Sequence, residues 1–206
     1  TEVMAGTAEM KSSVEALRQK VTASQDEINR LRSDLERARD DAILDPMTGI
    51  LNRRGFEKRI ESLLANKPID GTSHCLVMLD IDHFKKVNDT HGHLMGDRVI
   101  QAVGEILRTS VTNGTHAAAR YGGEEFALLL PQTSLDQAIQ LAETVRTRTK
   151  AMKIRHRTTQ EVLLTVTISG GVAEMRHDDD ASSLIARADA ALYQAKTGGR
   201  DRVARA

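Results

Sequence analysis

Apolar residues in the first part of the chain recur at spacings of four and three without a break. Met10, Val14, Leu17, Val21, Ser24, Ile28, Leu31, Leu35, Ala38 and Ala42 hold these positions, and the period is that of a heptad seam on a helix. Val14, Val21 and Ile28 fall at a, and Leu17 and Leu31 fall at d, a combination that favours a parallel two-stranded coil. Glu27 at g faces Arg32 at the next e of a second chain, and Asp34 faces Arg39 in the same way. Ser24 at a d position and the alanines near the end weaken the seam. The alternative is one amphipathic helix packed on its own domain. Residues 1–44 contain no proline and one glycine, Gly6, so a rod roughly 60 Å long is expected at ~1.5 Å per residue. Pro46 ends it, because the residue before a proline avoids the helical region.

From residue 45 onward the pattern is mixed. Helical spacing covers 53–66, 94–110, 134–151 and 182–196. Short apolar runs cover "CLVMLDI" (75–81), "THAAARY" (115–121) and "EEFALLL" (124–130). "EVLLTVTISGGVA" (161–173) reads as a strand with a glycine break, and a last short strand is expected at 202–205. Strands and helices interleave, but Gly122-Gly123 joins two strands as a hairpin whose turn should use the positive φ that glycine accepts. The expectation is therefore an α/β chain of the α+β type, with a mixed sheet flanked by helices. Two regions follow: a dimerising, signalling coil at 1–44 and a globular domain at 45–206.

Composition narrows the class. The 206 residues carry formal net charge +0, with 40% hydrophobic and 28% charged residues, which is globular and argues against a nucleic-acid partner. Aromatics are only 2%, so the core must be aliphatic. The single cysteine, Cys75, lies in a buried-strand pattern and fits a reducing, cytoplasmic setting. No apolar run is long enough to span a membrane, and no signal peptide opens the chain. The start at Thr1, inside a helical pattern, suggests that an upstream sensor has been removed, and the full-length protein could be anchored at the inner membrane.

Candidate chemistry gathers at the hairpin. "MLDIDHFKKVNDTHGHLMGD" (78–97) opens with a strand ending in Asp80 and Asp82, which alternation puts on one face with Ile81 on the other. If that strand lies beside the hairpin, Asp80, Asp82, Glu124 and Glu125 can meet at one end of a sheet. Such a cluster needs a cation, and carboxylate oxygens with water suit Mg2+ or Mn2+ shared with substrate phosphates. "HFKKVND" then enters a helix whose N–H groups, with Lys85, can meet phosphate oxygens. The Asp97 carboxylate can accept the guanine N2 hydrogens that adenine lacks, and the Asn88 amide can donate and accept on the same base. Gly122 and Gly123 leave the turn open to a ligand. In "YQAKTGGR", Lys196 and Arg200 stand one helical turn apart, suited to a triphosphate. Taken singly, the turn has merely acidic neighbours and each basic residue is a solvated surface charge.

Together, "RYGGEEF", "DIDHFKKVNDTHGHLMGD" and "DPMTGILNRR" resemble the GGDEF family, the bacterial diguanylate cyclases, over roughly residues 45–203. The resemblance implies a palm-like nucleotidyl-cyclase fold. It implies that two GTP-loaded domains of a homodimer face each other and that each 3′-hydroxyl attacks the other α-phosphate, giving cyclic di-GMP and pyrophosphate. It assigns the metal to Asp80, the Ile81 carbonyl and Glu124, with Glu125 and Asp82 near it. Glu124, Glu125 and Lys85 become catalytic. Phe84, Asn88, His93, Asp97, Gly122, Gly123, Lys196 and Arg200 become substrate-binding, with a purely packing role as the alternative for His93. It also suggests that Asp45 pairs with Arg120. Met47 and Ile50 depart from the family's "D-x-L-T-G-L" by volume-similar swaps. Asn113 and His116 stand where many members carry the Arg-x-x-Asp that grips product, which puts ordinary product inhibition in doubt. The basic stretch 146–157 is either a second anionic site or a solvated helix end. Retention of the acidic residues and both glycines favours an enzyme over an inactive GTP or cyclic di-GMP receptor, or over a scaffold.

Overall fold

The computed structural model describes residues 2–65, 73–111, 113–155 and 162–206. The Met10 and Arg39 side chains, Asn66, Glu161, and His156 and Arg157 of the basic stretch lie outside the described residues. The chain divides into two compact units, Thr1–Ala42 and Ile43–Ala206.

The first unit is one helix, α1 (Glu2–Asp41). Val14, Leu17, Val21, Ile28, Leu31 and Leu35, all seam positions, are exposed along it.

The second unit begins with a tight turn. The Asp45 carboxylate accepts from the Thr48 amide at 2.9 Å and the Thr48 hydroxyl at 2.6 Å, and Gly49 takes φ 71°, a left-handed value that costs glycine little. The turn brings Leu44 against Leu51, and Leu51 in turn bridges to Ala119. The elements that follow are α2 (Arg53–Ala65), β1 (Cys75–Ile81), α3 (Phe84–His91), α4 (His93–Ser110), β2 (Ala117–Arg120), β3 (Glu125–Leu130), α5 (Leu135–Ala151), β4 (Ile154–Arg155), β5 (Val162–Leu164), β6 (Ile168–Glu174), α6 (Ala181–Thr197) and β7 (Val203–Arg205).

The main sheet has the order β2-β3-β1-β6-β7. Strand β1 is central and antiparallel to both neighbours, whereas β6 and β7 are parallel, so the sheet is mixed as expected. Both faces of β1 are covered, which is why it reads as a continuous apolar run. Val77, Leu79 and Ile81 pack with Val99, Val103 and Leu107 of α4 and Ala142 and Val145 of α5. Leu76 and Met78 pack on the other face with Phe56 and Ile60 of α2 and Leu184, Ala188 and Leu192 of α6. By parity, Asp80 belongs to the α2/α6 face.

One strand expectation is corrected. The 161–173 stretch breaks at 165–167, not at its glycines, and β5 leaves to pair with β4 in a separate two-stranded sheet. Gly170 and Gly171 lie inside β6. A Cβ on Gly171 would fall 2.2 Å from the Ala188 carbonyl oxygen and 2.2 Å from the Leu192 nitrogen. The glycine lets the backbone of α6 rest on the sheet, and this brings the end of α6 to the end of β1.

Candidate active site

Asp80, next to last in β1, sits opposite Glu125 in the register with β3. It is only 6% exposed, and its Oδ2 accepts from Lys196 Nζ at 2.8 Å. Burial pushes the Asp80 carboxyl up, and the neighbouring Glu125 and Asp82 charges add to this, while Lys196 opposes it. Glu124 is half-buried, and its carboxyl is also raised, first by burial and then by the Asp80 charge. The Ile81 amide donates to the Glu124 carbonyl at 3.3 Å. Asp80, Glu124 and Glu125 therefore share one end of the sheet, with Lys196 as the protein cation among them.

Asp82 lies close enough for its charge to act on Asp80, but its oxygens are turned to other partners. The strand stops at Ile81, so alternation no longer applies. Asp82 accepts instead from Ser169 Oγ at 2.7 Å, Thr167 Oγ1 at 2.7 Å and the Asp201 amide at 3.0 Å. A carboxylate with three donors within the fold has little left to offer a metal.

The hairpin turn is also not built as expected. Neither Gly122 nor Gly123 has positive φ. The turn closes through the Tyr121 and Gly122 amides, which donate to the Glu125 carbonyl at 2.8 and 3.2 Å. A Cβ on Gly122 would fall 2.5 Å from Glu125 Oε2, the end of an exposed side chain that can swing aside, and one on Gly123 would meet nothing within 4 Å. Arg120 braces the turn, its Nε and Nη2 donating to the Gly123 carbonyl at 3.1 and 2.8 Å. Its Nη1 reaches Asp45 Oδ2 at 3.2 Å, so the expected Asp45–Arg120 pair is present.

After β1, His83 adopts φ 58° and α3 starts without a side-chain cap, leaving first-turn N–H groups for a ligand. Phe84 is buried and Lys85 is exposed. Asn88, on α3, packs against Gly96 of α4, where a Cβ would fall 2.0 Å from Asn88 Oδ1. That Oδ1 is buried and has no hydrogen-bond partner. An unpaired buried acceptor is costly to fold around unless a ligand completes it. His93 opens α4 and is exposed, and Asp97 lies one turn on, half-buried.

Lys196 and Arg200 are not one turn apart on a helix, as expected. Helix α6 ends at Thr197, Gly199 takes φ 115° and Arg200 takes φ 61°. Arg200 is exposed, in a turn whose amide returns to the Ala195 carbonyl at 3.0 Å.

Asn113 and His116 are engaged locally. Asn113 Oδ1 accepts from the Thr115 amide and hydroxyl, and His116 Nε2 lies 3.0 Å from Thr133 Oγ1.

Among the described residues no group of three His, Cys, Asp or Glu side chains is arranged to hold a metal ion unaided. The carboxylates at this end of the sheet are those of Asp80, Glu124 and Glu125. That set fits a hard cation that keeps waters and takes its other ligands from phosphates. Sequence reasoning missed the direct Asp80–Lys196 pair, the Arg120 brace under the glycines, the separation of Asp82, and the fit of Asn88 to Gly96. Only the last left a signal, a glycine inside a helical pattern, which marks a close approach.

Comparison with known proteins agrees with this geometry. Residues 42–202 match the family model described as "Diguanylate cyclase, GGDEF domain". The chain is 40% identical over 195 residues to "Diguanylate cyclase VdcA" of Vibrio cholerae, covering 95% of this chain and 56% of that protein. It is 37% identical to "Diguanylate cyclase DgcP" of Pseudomonas aeruginosa, covering 95% of this chain and 28% of that one. The chain thus spans about half or less of these curated relatives. It also resembles the crystal structure of the coiled coil and GGDEF domain of DgcB from Caulobacter crescentus in complex with c-di-GMP, with a TM-score of 0.76 and 38% identity over 92% of this chain and 99% of that one.

Proposed function

The chain belongs to the GGDEF family of diguanylate cyclase domains, and on that premise we propose that it condenses two GTP molecules into cyclic di-GMP with release of two pyrophosphates. In each half-reaction a 3′-oxygen bonds to the α-phosphorus of the other GTP, the bond from that phosphorus to the β-phosphate bridge breaks, and pyrophosphate leaves. Asp80, the Ile81 carbonyl and Glu124 would hold Mg2+ or Mn2+, with Glu125 beside them. When bound, that ion lowers the pKa of the attacking hydroxyl and offsets the charge of the triphosphate.

The protein's own groups do the rest. Lys196 pairs with the buried Asp80 and opposes the rise that burial causes, and it can turn to phosphate oxygens when the substrate arrives. Glu124, beside Asp80 at the end of the sheet, is the carboxylate that accepts the 3′-hydroxyl proton in this reading, a role a positioned side chain fills in general base catalysis. Lys85 and the open first turn of α3, together with Arg200, bind phosphates. Phe84 packs beneath that turn. Asn88 Oδ1 gains a guanine N–H donor, Asp97 accepts from the exocyclic amine, and His93 contacts the sugar or base edge. Gly122 and Gly123 leave the turn bare beneath the nucleotide.

The observation that carries this reading is the gathering of the Asp80, Glu124 and Glu125 carboxylates at the sheet end, faced by Lys196. The exposed seam of α1 supports a parallel coil, spanning residues 1–44, that joins two chains so that two loaded domains can meet, with an upstream sensor acting through it in the cytoplasm. The test is incubation with GTP and Mg2+, following pyrophosphate and cyclic di-GMP. Tight GTP binding with neither product would instead make the domain a receptor.

A further inference from the structure

Resting on the cyclase reading above, we propose that Asp82 is a positioning residue: it holds the Arg200–Asp201 turn against the end of β1 and so aims the Arg200 guanidinium at the triphosphate bound beside Asp80.

Three segments distant in sequence end on this one carboxylate. Asp82 is 4% exposed. Its own amide donates to the Thr167 carbonyl at 2.9 Å. Its oxygens accept from the Thr167 and Ser169 hydroxyls at the start of β6 and from the Asp201 amide beyond α6. An ionised carboxylate only accepts, so one Asp can satisfy all three donors; an Asn would present its NH2 group to at least one of them.

The turn it holds is not one that these residues adopt freely. Arg200 and Asp201 are consecutive non-glycine residues at φ 61° and 46°, a left-handed region that Cβ disfavours. Such backbone persists where its surroundings overdetermine it. Here the Arg200 amide is tied to Ala195, and the Arg202 carbonyl accepts from Gly170 at 3.0 Å. The Asp201 carboxylate is gripped by Arg146 at 2.7 Å and Lys150 at 2.6 Å. Asp82 is the member of this clamp that joins it to the strand carrying Asp80. In the last turn of α6, Lys196 already touches Asp80. The clamp thus fixes a second cation, the exposed Arg200, relative to the same carboxylate.

The experiment is a double-mutant cycle on the full chain with GTP and Mg2+. Asp82→Asn should raise KM for GTP about tenfold, the size of a lost charge-assisted contact, with kcat changed less than about threefold. In an Arg200→Ala background, Asp82→Asn should add less than about twofold, because the contact it positions is already gone. Effects that multiply in full, or that fall on kcat with KM unchanged, overturn the proposal. If Asp82→Asn does not fold, Thr167→Val with Ser169→Ala removes two of the donors that hold Asp82 and is read in the same cycle, with a smaller KM rise expected. A wild-type chain that makes no product overturns the cyclase reading instead. The cycle is then read on equilibrium GTP affinity, where full additivity again overturns positioning.

Discussion

Helix α1 and the unit that follows it satisfy their apolar residues in opposite ways. In Ile43–Ala206, both faces of β1 are sealed by helices, and Leu76 through Leu79 are essentially inaccessible. In α1, the seam residues Val14, Leu17, Val21, Ile28, Leu31 and Leu35 stay exposed. The globular unit carries its own hydrophobic driving force. The helix has a strict pattern whose burial requires something outside it, since isolated helices gain most of their stability from packing an apolar face. A sealed core belongs to one region and an unburied apolar seam to the other, so substitutions in the two should fail differently.

The largest expected effect is chemical and confined to the globular unit. Glu124→Gln should lower cyclic di-GMP formation by at least about 10²-fold, the scale of a lost general base, before any loss of metal is added. The melting temperature should hold or rise slightly, because a carboxyl with a raised pKa is not stabilising the fold as an anion. Unchanged product formation would remove Glu124 from the mechanism.

A core substitution should separate the units by stability. Gly171→Val places side-chain atoms where the Ala188 and Leu192 backbone now lies. It should destabilise the globular unit by about 3 kcal/mol, at the upper end of overpacking costs, and lower its melting transition by about 10 °C. Normal melting would mean that α6 does not rest on β6 as described.

The seam should respond through concentration. Ile28→Glu with Leu31→Glu should weaken the dimer, so that activity per chain climbs steeply with protein concentration while the globular unit melts as before. Specific activity that stays flat on dilution would contradict a role for α1 in joining two domains.

The smallest effect is a pH dependence within the globular unit. His74 is buried, its Nδ1 accepts from the Gln132 amide at 2.9 Å, and burial lowers its pKa. Burial also lowers that of His116. The unfolded chain therefore binds more protons than the folded one just below the ordinary histidine value. Their contribution to stability is intact above about pH 6.5 and declines as the pH falls below it. The raised carboxyls of Asp80 and Glu124 act in the opposite direction, so the histidine contribution is read as a difference: His74→Gln should lose less midpoint between pH 7 and 5 than the wild-type chain does. A His74→Gln profile parallel to wild type would refute the assignment.

Residue patterns alone determined a good deal. Period and breakers located the helices and the five strands of the main sheet to within a few residues, because burial on one or both faces leaves a periodic trace, but not the small β4–β5 sheet. The seam of α1, the hairpin at residues 122–123, the Asp80 and Glu124 carboxylates and the Asp45–Arg120 pair were legible for the same reason or through the family resemblance. Tertiary structure alone decided what happens where periodicity stops. Asp80 and Asp82 read alike in the sequence, yet one faces Lys196 and the other is claimed by donors from β6 and from the turn beyond α6. Gly171 looked like a break residue, yet it serves the close approach of a helix backbone. Arg200 looked helical, yet the chain turns left-handed before it. At the end of a strand or helix, local preference is worth a few tenths of a kcal/mol to about one, and a hydrogen bond to a charged group from a distant segment outweighs it. Such partners are neighbours only once the sheet has formed.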